Sequence, residues 1–256
     1  MSRSRYNVVM ATEQGTYIVN KNDLGVGWQL STRGAYDPDE VELFRALVGS
    51  LGRDDAVVLD IGANIGIHAV TLAEMVGPKG KVHAFEAQRI VYYMLAGNIA
   101  MHSIENVYCH HLAVGASKGR IQIPIFDYAK PLSFGSVEFG AEQREQIGQQ
   151  RIDDPTRQEH VNLVAIDELA YPAVHLMKID VEGMELDVLI GAEKTIKRDM
   201  PTIFVEYLKG DRKALAGWLL SAGYRLYVHR HNWLCVPPAS KLVVQGSNEI
   251  TSVEQV

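Results

Sequence analysis

From residue 57 onward the chain alternates short apolar runs with longer amphipathic segments, and this alternation restricts its possible folds more than any other feature. The run "AVVLDIG" at residues 56–62 is continuous and apolar, as in a parallel strand buried on both faces. The next segment, "IGIHAVTLAEMVG", has the length of a helix and ends at Gly77. Repeated strand–helix units predict an α/β fold, with a doubly wound, mostly parallel sheet and right-handed crossovers.

The same alternation continues to residue 237. Further strands are predicted at "GKVHAFEA", "NVYCHHLAVG", "RIQIPIFD", "VHLMKID" and "PTIFVEY", with a last pair at "YRLYVHR" and "WLCVPP". The last two strands are close enough in sequence to pair antiparallel, and we expect this pair at one edge of the sheet.

Shorter segments flank this region. Residues 1–35 combine β-rich runs with turn residues, which predicts a small N-terminal β cap. A helix is predicted from the segment "DPDEVELFRALVGSLG", with Asp37 as its N-cap. We therefore expect a main domain at residues 36–240 and a C-terminal tail at 241–256.

Residues 127–160 interrupt the alternation with polar sequence rich in Gln and Arg. Long insertions in compact domains are often mobile surface loops, and they often act as lids or select substrates. The sequence leaves both interpretations open.

Composition narrows the possible partners and the compartment. The formal net charge is −6 and there is no long basic run, which disfavours nucleic acid as a partner. Cys109 and Cys235 have no metal-ligand spacing and are predicted to be buried thiols of a reducing compartment. The opening residues resemble no signal peptide, and no run of about 18 apolar residues predicts a membrane span. We expect a soluble cytoplasmic protein without a membrane partner.

The turn "DIGANIG", Asp60–Gly66, follows the first core strand. In doubly wound sheets, ligands bind at the carboxyl ends of the strands, where the strand order reverses. A dinucleotide-binding turn requires Gly-x-Gly-x-x-Gly, but here Asn64 replaces the second glycine and Ile67 replaces the third. This departure is an argument against NAD.

A cationic nucleoside suits the turn better. Asn tolerates a left-handed backbone, so Asn64 still permits a tight turn. Asp60 would repel a phosphate and attract a cation, and Glu86 follows the next strand, where a carboxylate can accept hydrogen bonds from both ribose hydroxyls. S-adenosylmethionine carries no phosphate and has an ammonium and a sulfonium. The predicted cofactor-binding residues are Asp60, Gly62, Ala63, Asn64, Gly66 and Glu86.

A second acidic cluster lies in "HLMKIDVEGMELDVLIGA". On an extended strand Lys178, Asp180 and Glu182 point the same way, and the strand ends at the rim that faces the predicted cofactor. A carboxylate there can act as general base for a hydroxyl that accepts a methyl group. These three residues are the candidate catalytic residues.

Two alternatives stay open for this cluster. Glu182 can cap the following helix while Lys178 neutralises Asp180. Asp180 and Glu182, with Glu206, can also hold a divalent cation through oxygen ligands. Their spacing is not diagnostic, and we predict no metal site.

The motifs "VVLDIGANIG", "VHAFEA", "HLAVG", "VAIDEL" and "MKIDVEGMELDVLIGA" together resemble the FkbM family of S-adenosylmethionine-dependent methyltransferases. The resemblance covers roughly Gly15 to Pro237, and its most specific part is the K-x-D-x-E-G-x-E stretch at Lys178–Glu185. The chain differs from the family at "FEAQR", where family members often have a proline soon after the glutamate and this chain has none.

The resemblance implies a class I methyltransferase fold, which is Rossmann-like, and methylation of a hydroxyl on a small molecule or saccharide. It implies that Asp60, Gly62, Asn64, Gly66 and Glu86 contact the cofactor, and that Asp180 and Glu182 lie beside the transferred methyl. A non-catalytic S-adenosylmethionine-binding module and an NAD-linked oxidoreductase remain the alternatives. The acceptor and the oligomeric state are left open.

Overall fold

The structure, a computed structural model, describes residues 6–138, 148–150, 154, 156–245 and 248–256. Within these residues the strands are β1 (Asn7–Thr12), β2 (Gly15–Asn20), β3 (Val57–Ile61), β4 (Lys81–Glu86), β5 (Val107–His111), β6 (Ala113–Val114), β7 (Gly119–Pro124), β8 (Gln158–Val164), β9 (Leu176–Ile179), β10 (Thr202–Glu206), β11 (Arg225–His229), β12 (Asn232–Val236) and β13 (Glu249–Ile250). The helices are α1 (Val26–Arg33), α2 (Pro38–Ser50), α3 (Ile67–Val76), α4 (Arg89–Met101), α5 (Glu185–Gly191), α6 (Glu193–Asp199) and α7 (Arg212–Ser221). Short 3₁₀ turns lie at Phe134–Ser136, Ile166–Leu169 and Val253–Gln255. None of the described helices is long and apolar enough to cross a membrane.

The central sheet has the strand order β13-β11-β12-β10-β9-β3-β4-β5. The strands from β10 to β5 are parallel, which confirms the predicted mostly parallel sheet. The antiparallel pair β11–β12 also forms as expected. However, β12 lies inside the sheet beside β10, and β13 forms the edge. Part of the predicted tail at residues 241–256 therefore belongs to the sheet.

The sheet is buried on both faces. Successive side chains of a strand point to opposite sides, and both sides pack into hydrophobic cores. On β3, Val58 packs into one hydrophobic core, while Leu59 and Ile61 pack into the other. The first core also contains α2, α3 and α4, and the second contains α5, α6 and α7. Burial on both sides explains why the strand is a continuous apolar run in the sequence.

The strand order reverses at β3. From β3 the chain proceeds outward to β4 and β5, and it later returns to β9 on the opposite side of β3. The carboxyl ends of β3 and β9 therefore border the crevice in which open α/β sheets bind their ligands.

Asn98 of α4 connects the N-terminal hairpin β1–β2 to this crevice. Its Oδ1 accepts a hydrogen bond from Ile18 N (2.6 Å), and its Nδ2 donates to Ile18 O (3.2 Å) and Ile65 O (2.8 Å). The side chains of Tyr17 and Val19 pack into the same core as α4. The hairpin expected within residues 1–35 thus shares the core of the main domain.

Helix α2 begins at Pro38 as predicted, but its first turn receives no side-chain cap. Asp37 has a φ of 40° and makes no capping hydrogen bond. Proline disfavours the right-handed helical conformation in the residue before it, and Asp37 lies in the left-handed region. Burial raises the pKa of its carboxyl group, and the Tyr36 hydroxyl opposes this shift.

The predicted insertion at residues 127–160 is described in part, and residues 139–147, 151–153 and 155 lie outside the described residues. Tyr128, Leu132 and Phe134 are buried, and Gln88 Nε2 donates a hydrogen bond to Phe134 O (2.6 Å). The start of the insertion therefore packs on the body of the protein. A mobile surface loop does not describe that part, and a lid function remains a prediction.

We predict that Asn98→Ala lowers the free energy of unfolding by about 2–3 kcal/mol, because it leaves the amide and carbonyl of Ile18 and the carbonyl of Ile65 without their partner. Urea denaturation of the purified protein measures the change. Asn162→Ala, at an exposed position of β8, is the control and should change stability by less than about 0.5 kcal/mol. Equal stability of the two variants would contradict the connecting role of Asn98.

Candidate active site

The turn after β3 is held against the end of β4 by backbone hydrogen bonds. Gly62 N and Ala63 N both donate to Phe85 O (3.0 and 2.8 Å), and Gly66 N donates to Ala63 O (2.9 Å). Asn64 has a φ of 51°, between Gly62 at 85° and Gly66 at 90°. The predicted left-handed conformation of Asn64 is confirmed.

Gly62 is required by a close approach as well as by its φ. A Cβ at this position would lie 1.8 Å from Asp180 O, on the residue that follows β9. The turn and the end of β9 are therefore in direct backbone contact, and any larger residue would separate them.

Glu86 lies at the end of β4, where the sequence predicts a cofactor-binding carboxylate. Its Oε2 accepts a hydrogen bond from Asn64 N (3.0 Å) and its Oε1 accepts one from Gln88 N (2.7 Å). Burial raises the pKa of Glu86 to about 7, although these two backbone donors and Lys178 oppose the shift. Each carboxylate oxygen retains a second lone pair for a ligand.

Behind the turn, Asp60 and Lys178 form a buried ion pair. Asp60 is fully buried and its carboxylate has no hydrogen-bond partner among the described residues, with Lys178 Nζ at 3.6 Å from Oδ1. Lys178 Nζ also donates to Gly62 O (3.3 Å) and to Asp180 Oδ2 (3.4 Å). Burial raises the pKa of Asp60 while Lys178 opposes this shift. Burial also disfavours the charge of Lys178, but Asp180 and Asp60 together raise its pKa above the ordinary value.

The structure brings Asp180, Glu182 and Glu206 together at the rim. One carboxylate oxygen of each lies within 4.8 Å of the others. Burial, and then the charge of Asp180, raises the pKa of Glu182 to about 8. Burial, and then Asp180 and Glu182, raises the pKa of Glu206 to about 9. The cluster therefore retains protons at neutral pH, and its oxygens have the chemistry to bind a divalent cation in their place.

Two further residues hold Glu182 in place. Lys209, 4% exposed, forms an ion pair with Glu182 and donates a hydrogen bond to Ser136 O (3.4 Å). Glu185 Oε1 accepts hydrogen bonds from Val181 N (3.1 Å) and Gly183 N (3.0 Å). Glu182 itself has a φ of 59°, so the surrounding contacts maintain an unfavourable backbone conformation.

Sequence reasoning missed Lys209 and the clamping role of Glu185. Lys209 lies three residues after β10, and its position at a strand end was the available signal. A single lysine in a loop usually indicates a solvated surface, which concealed it. Glu185 is the first residue of α5, where any carboxylate is favourable to the helix dipole, so its position does not reveal that it is 2% exposed.

Two adjoining cavities open at this site. The main cleft has about 580 Å³ of empty space, counting its mouth, and is lined by Gly62, Asn64, Glu86, Gln88, Leu112, Val114, Ile121, Gly135, Asp180 and Glu182, among others. A small cavity of about 310 Å³ shares Gly62, Asn64 and Asp180 with the cleft and is also lined by Tyr36, His68 and Lys178. Asp60 and Gly66 line neither of them, while Ala63 lines the small cavity.

Comparison with known proteins identifies the family. The model of the methyltransferase FkbM domain matches residues 60–226, more than half of the chain. The chain belongs to the FkbM methyltransferase family. This membership makes it a methyltransferase, as the resemblance implies.

Two fungal relatives and one crystal structure show the range of similarity. Methyltransferase 1 of Beauveria bassiana (strain ARSEF 2860) is 24% identical over 200 residues, covering 74% of this chain and 79% of the relative. Methyltransferase sdnD of Sordaria araneosa is 22% identical over 200 residues, covering 69% and 76%. The crystal structure of methyltransferase FkbM from Methylobacillus flagellatus KT superposes with a TM-score of 0.50 at 19% identity. That match covers 72% of this chain and 43% of the crystallised chain, and it shows the shared fold.

We predict that Gly62→Ala lowers the free energy of unfolding by about 3 kcal/mol or more, since the new Cβ collides with the Asp180 carbonyl and the φ is unfavourable. Thermal and urea denaturation measure the change. Gly52→Ala is the matched control, because Gly52 also has a positive φ (62°) but nothing lies within 4 Å of its added Cβ. The control should lose about 1 kcal/mol. Equal losses in both variants would show that backbone conformation alone explains the requirement for glycine.

Proposed function

We propose that the chain is an S-adenosylmethionine-dependent O-methyltransferase that acts on a hydroxyl of a small molecule or saccharide. The observation that carries the proposal is the acidic lining of the main cleft. Three carboxylates, Glu86, Asp180 and Glu182, line it, and none of its described lining residues is lysine, arginine or histidine. With no cationic side chain in its described lining, the cleft provides a pyrophosphate with no countercharge, whereas a bound sulfonium cation would favour the ionised form of these carboxyl groups.

The remaining lining of the cleft is consistent with a nucleoside. Leu112, Val114 and Ile121 provide apolar surface for a base, while the Glu86 carboxylate provides acceptors for ribose hydroxyls. Bound there, S-adenosylmethionine would supply an electrophilic methyl carbon on a sulfonium. The turn supports this choice, because its tight, Asn64-containing backbone leaves no glycine-lined cradle for two phosphates.

The rim carboxylates supply the chemistry on the acceptor side. In the proposal, Glu182 accepts the proton that the acceptor hydroxyl loses as its oxygen attacks. Lys209 favours the ionised form of Glu182 and fixes its orientation, while burial, Asp180 and Glu185 disfavour that form. The formal net charge of −6, without a long basic run, also disfavours a nucleic-acid acceptor.

The cofactor assignment predicts that S-adenosylhomocysteine stabilises the protein against heat and that NAD does not. Glu86→Gln should bind S-adenosylhomocysteine about tenfold more weakly, because an amide offers fewer acceptors to two hydroxyls than a carboxylate does. Isothermal titration calorimetry measures the affinities. Glu74→Gln, exposed on α3, should bind like the unmodified protein. Selective stabilisation by NAD would favour an oxidoreductase and contradict the proposal.

The base assignment predicts that Glu182→Gln retains its affinity for S-adenosylhomocysteine within about threefold while methyl transfer falls about 10²-fold or more. Transfer is measured with methyl-labelled cofactor and a panel of hydroxylated metabolites and saccharides. Because the pKa of Glu182 is about 8 and a base must be ionised, turnover of the unmodified protein should decrease as the pH falls below about 8. The variant should lose this dependence.

Unchanged turnover in Glu182→Gln would exclude Glu182 as the base. Glu193→Gln, on the surface helix α6, is the control and should change neither affinity nor rate. Tight binding of S-adenosylhomocysteine without transfer to any member of a broad panel would favour a non-catalytic binding module.

A further inference from the structure

The lining of the main cleft is assembled from separate segments of the chain. The turn after β3 contributes Gly62 and Asn64, and the start of the insertion contributes Gly135. A Cβ on Gly135 would lie 2.4 Å from Asn64 Nδ2, so the two segments are in direct contact. A shift of either segment therefore changes the shape of the cleft.

Helix α4 connects the turn to the N-terminal hairpin β1–β2. A Cβ on Gly66 would lie 2.6 Å from Leu95 Cδ1, so the turn packs closely on this helix. Asn98, which is fully buried, donates from Nδ2 to Ile65 O (2.8 Å) in the turn. Its other two hydrogen bonds go to the backbone of Ile18 in the hairpin. One side chain thus holds the turn and the hairpin together.

The same hairpin holds the start of the insertion. Asn20, the last residue of β2, is 1% exposed and donates from Nδ2 to Tyr128 O (3.0 Å). Its Oδ1 accepts a hydrogen bond from Asn22 N (2.8 Å), and Asn22 Nδ2 donates to the same Tyr128 carbonyl (3.2 Å). The backbones are also joined, because Leu132 N donates to Asn22 O (3.2 Å) and Leu24 N donates to Leu132 O (3.0 Å).

Gln88 connects the insertion to the cleft. Its Nε2 donates to Phe134 O (2.6 Å), and its Oε1 accepts a hydrogen bond from the Tyr128 hydroxyl (3.3 Å). These contacts form a ring that runs from the turn through α4, the hairpin and the insertion, and back to the turn at Asn64. Among the described residues, none from β1 or β2 lines the cleft or the small cavity. The hairpin therefore takes part in the ring without reaching the ligand space.

We propose that Asn20 and Asn98 are positioning residues that hold the cleft in its ligand-binding shape from outside the site. This inference rests on the proposed function, because S-adenosylhomocysteine is the ligand that reports on the cleft. Each side chain both donates and accepts, and truncating it leaves buried backbone groups without a partner. One segment of the ring is then free to shift, and the cleft is less preorganised for its ligand.

Truncation tests each asparagine. Asn20→Ala and Asn98→Ala should each bind S-adenosylhomocysteine about tenfold more weakly than the unmodified protein, with most of the change in the dissociation rate. Surface plasmon resonance on the immobilised full chain, at a temperature where every variant is folded, measures the rates. If Asn98→Ala does not fold, Asn22→Ala replaces it and should weaken binding about threefold, because it removes the second donor to Tyr128 O.

Asn106→Ala is the matched control. Asn106 Nδ2 donates to Ala73 O (3.2 Å) and Gly77 O (2.9 Å), at the end of α3 that is far from the turn. Its truncation also removes a donor from two backbone carbonyls, so urea denaturation should show a loss of stability similar to that of the test variants. Its affinity for S-adenosylhomocysteine should nevertheless stay within about twofold of the unmodified value.

Amide hydrogen exchange reports on the ring itself. Asn20 does not contact the turn, yet Asn20→Ala should raise the exchange rate of the Gly66 amide, which is hydrogen-bonded within the turn, by about threefold or more. Asn98→Ala should likewise raise the exchange rate of the Leu132 amide. Asn106→Ala should change neither rate.

Two results would overturn the inference. Unchanged affinity in folded Asn20→Ala and Asn98→Ala would remove the hairpin from ligand binding. An equal loss of affinity in Asn106→Ala would attribute the effect to general stability. In both cases tight binding of S-adenosylhomocysteine to the unmodified protein would leave the proposed function standing. Failure of the unmodified protein to bind S-adenosylhomocysteine would instead refute the cofactor assignment, and this inference with it.

Discussion

The buried contacts of the Lys178 ammonium group are the constraint on which the site depends. One cation lies between the carboxylates of Asp60 and Asp180 and also holds the carbonyl of Gly62. Lys178 Nζ therefore contacts the end of β3, the residue after β9 and the turn that follows β3. Two carboxylates side by side without that cation would have to take up protons or separate. The position of the turn and the position of Asp180 at the rim thus both depend on the contacts of Lys178.

The fold was predictable from the sequence to a large extent because its strands are buried on both faces and are therefore apolar throughout. The conformation of Asn64 was predictable as well, since a tight turn at that point admits few residues other than glycine and asparagine. The position of β12 within the sheet was not predictable, because two strands that are consecutive in sequence can pair either at the edge of a sheet or in its interior. Periodicity contains no information that distinguishes the two positions.

The candidate site was predictable where side chains follow strand ends and not where they reach in from loops. Glu86, Asp180 and Glu182 were predicted from their positions at strand ends, and they line one cleft. Lys209 was missed because a lysine in a loop usually has an ordinary structural role. Asp60 was expected to touch the ligand, yet it lies behind the turn with Lys178, and its contact with a cofactor stays a prediction. A carboxylate at a strand end can face the crevice or the interior, and sequence spacing does not decide which.

The double contact of Lys209 couples the insertion to the carboxylates at the rim. Its ammonium group binds Glu182 and the carbonyl of Ser136, which lies at the start of the long insertion. A change in the insertion that moves Ser136 would therefore also alter the charge environment of the carboxylate beneath it. Rebuilding this segment would therefore alter the proton affinity of Glu182 at the same time. The conformation of the insertion and the pH at which Glu182 ionises are then linked properties of this protein.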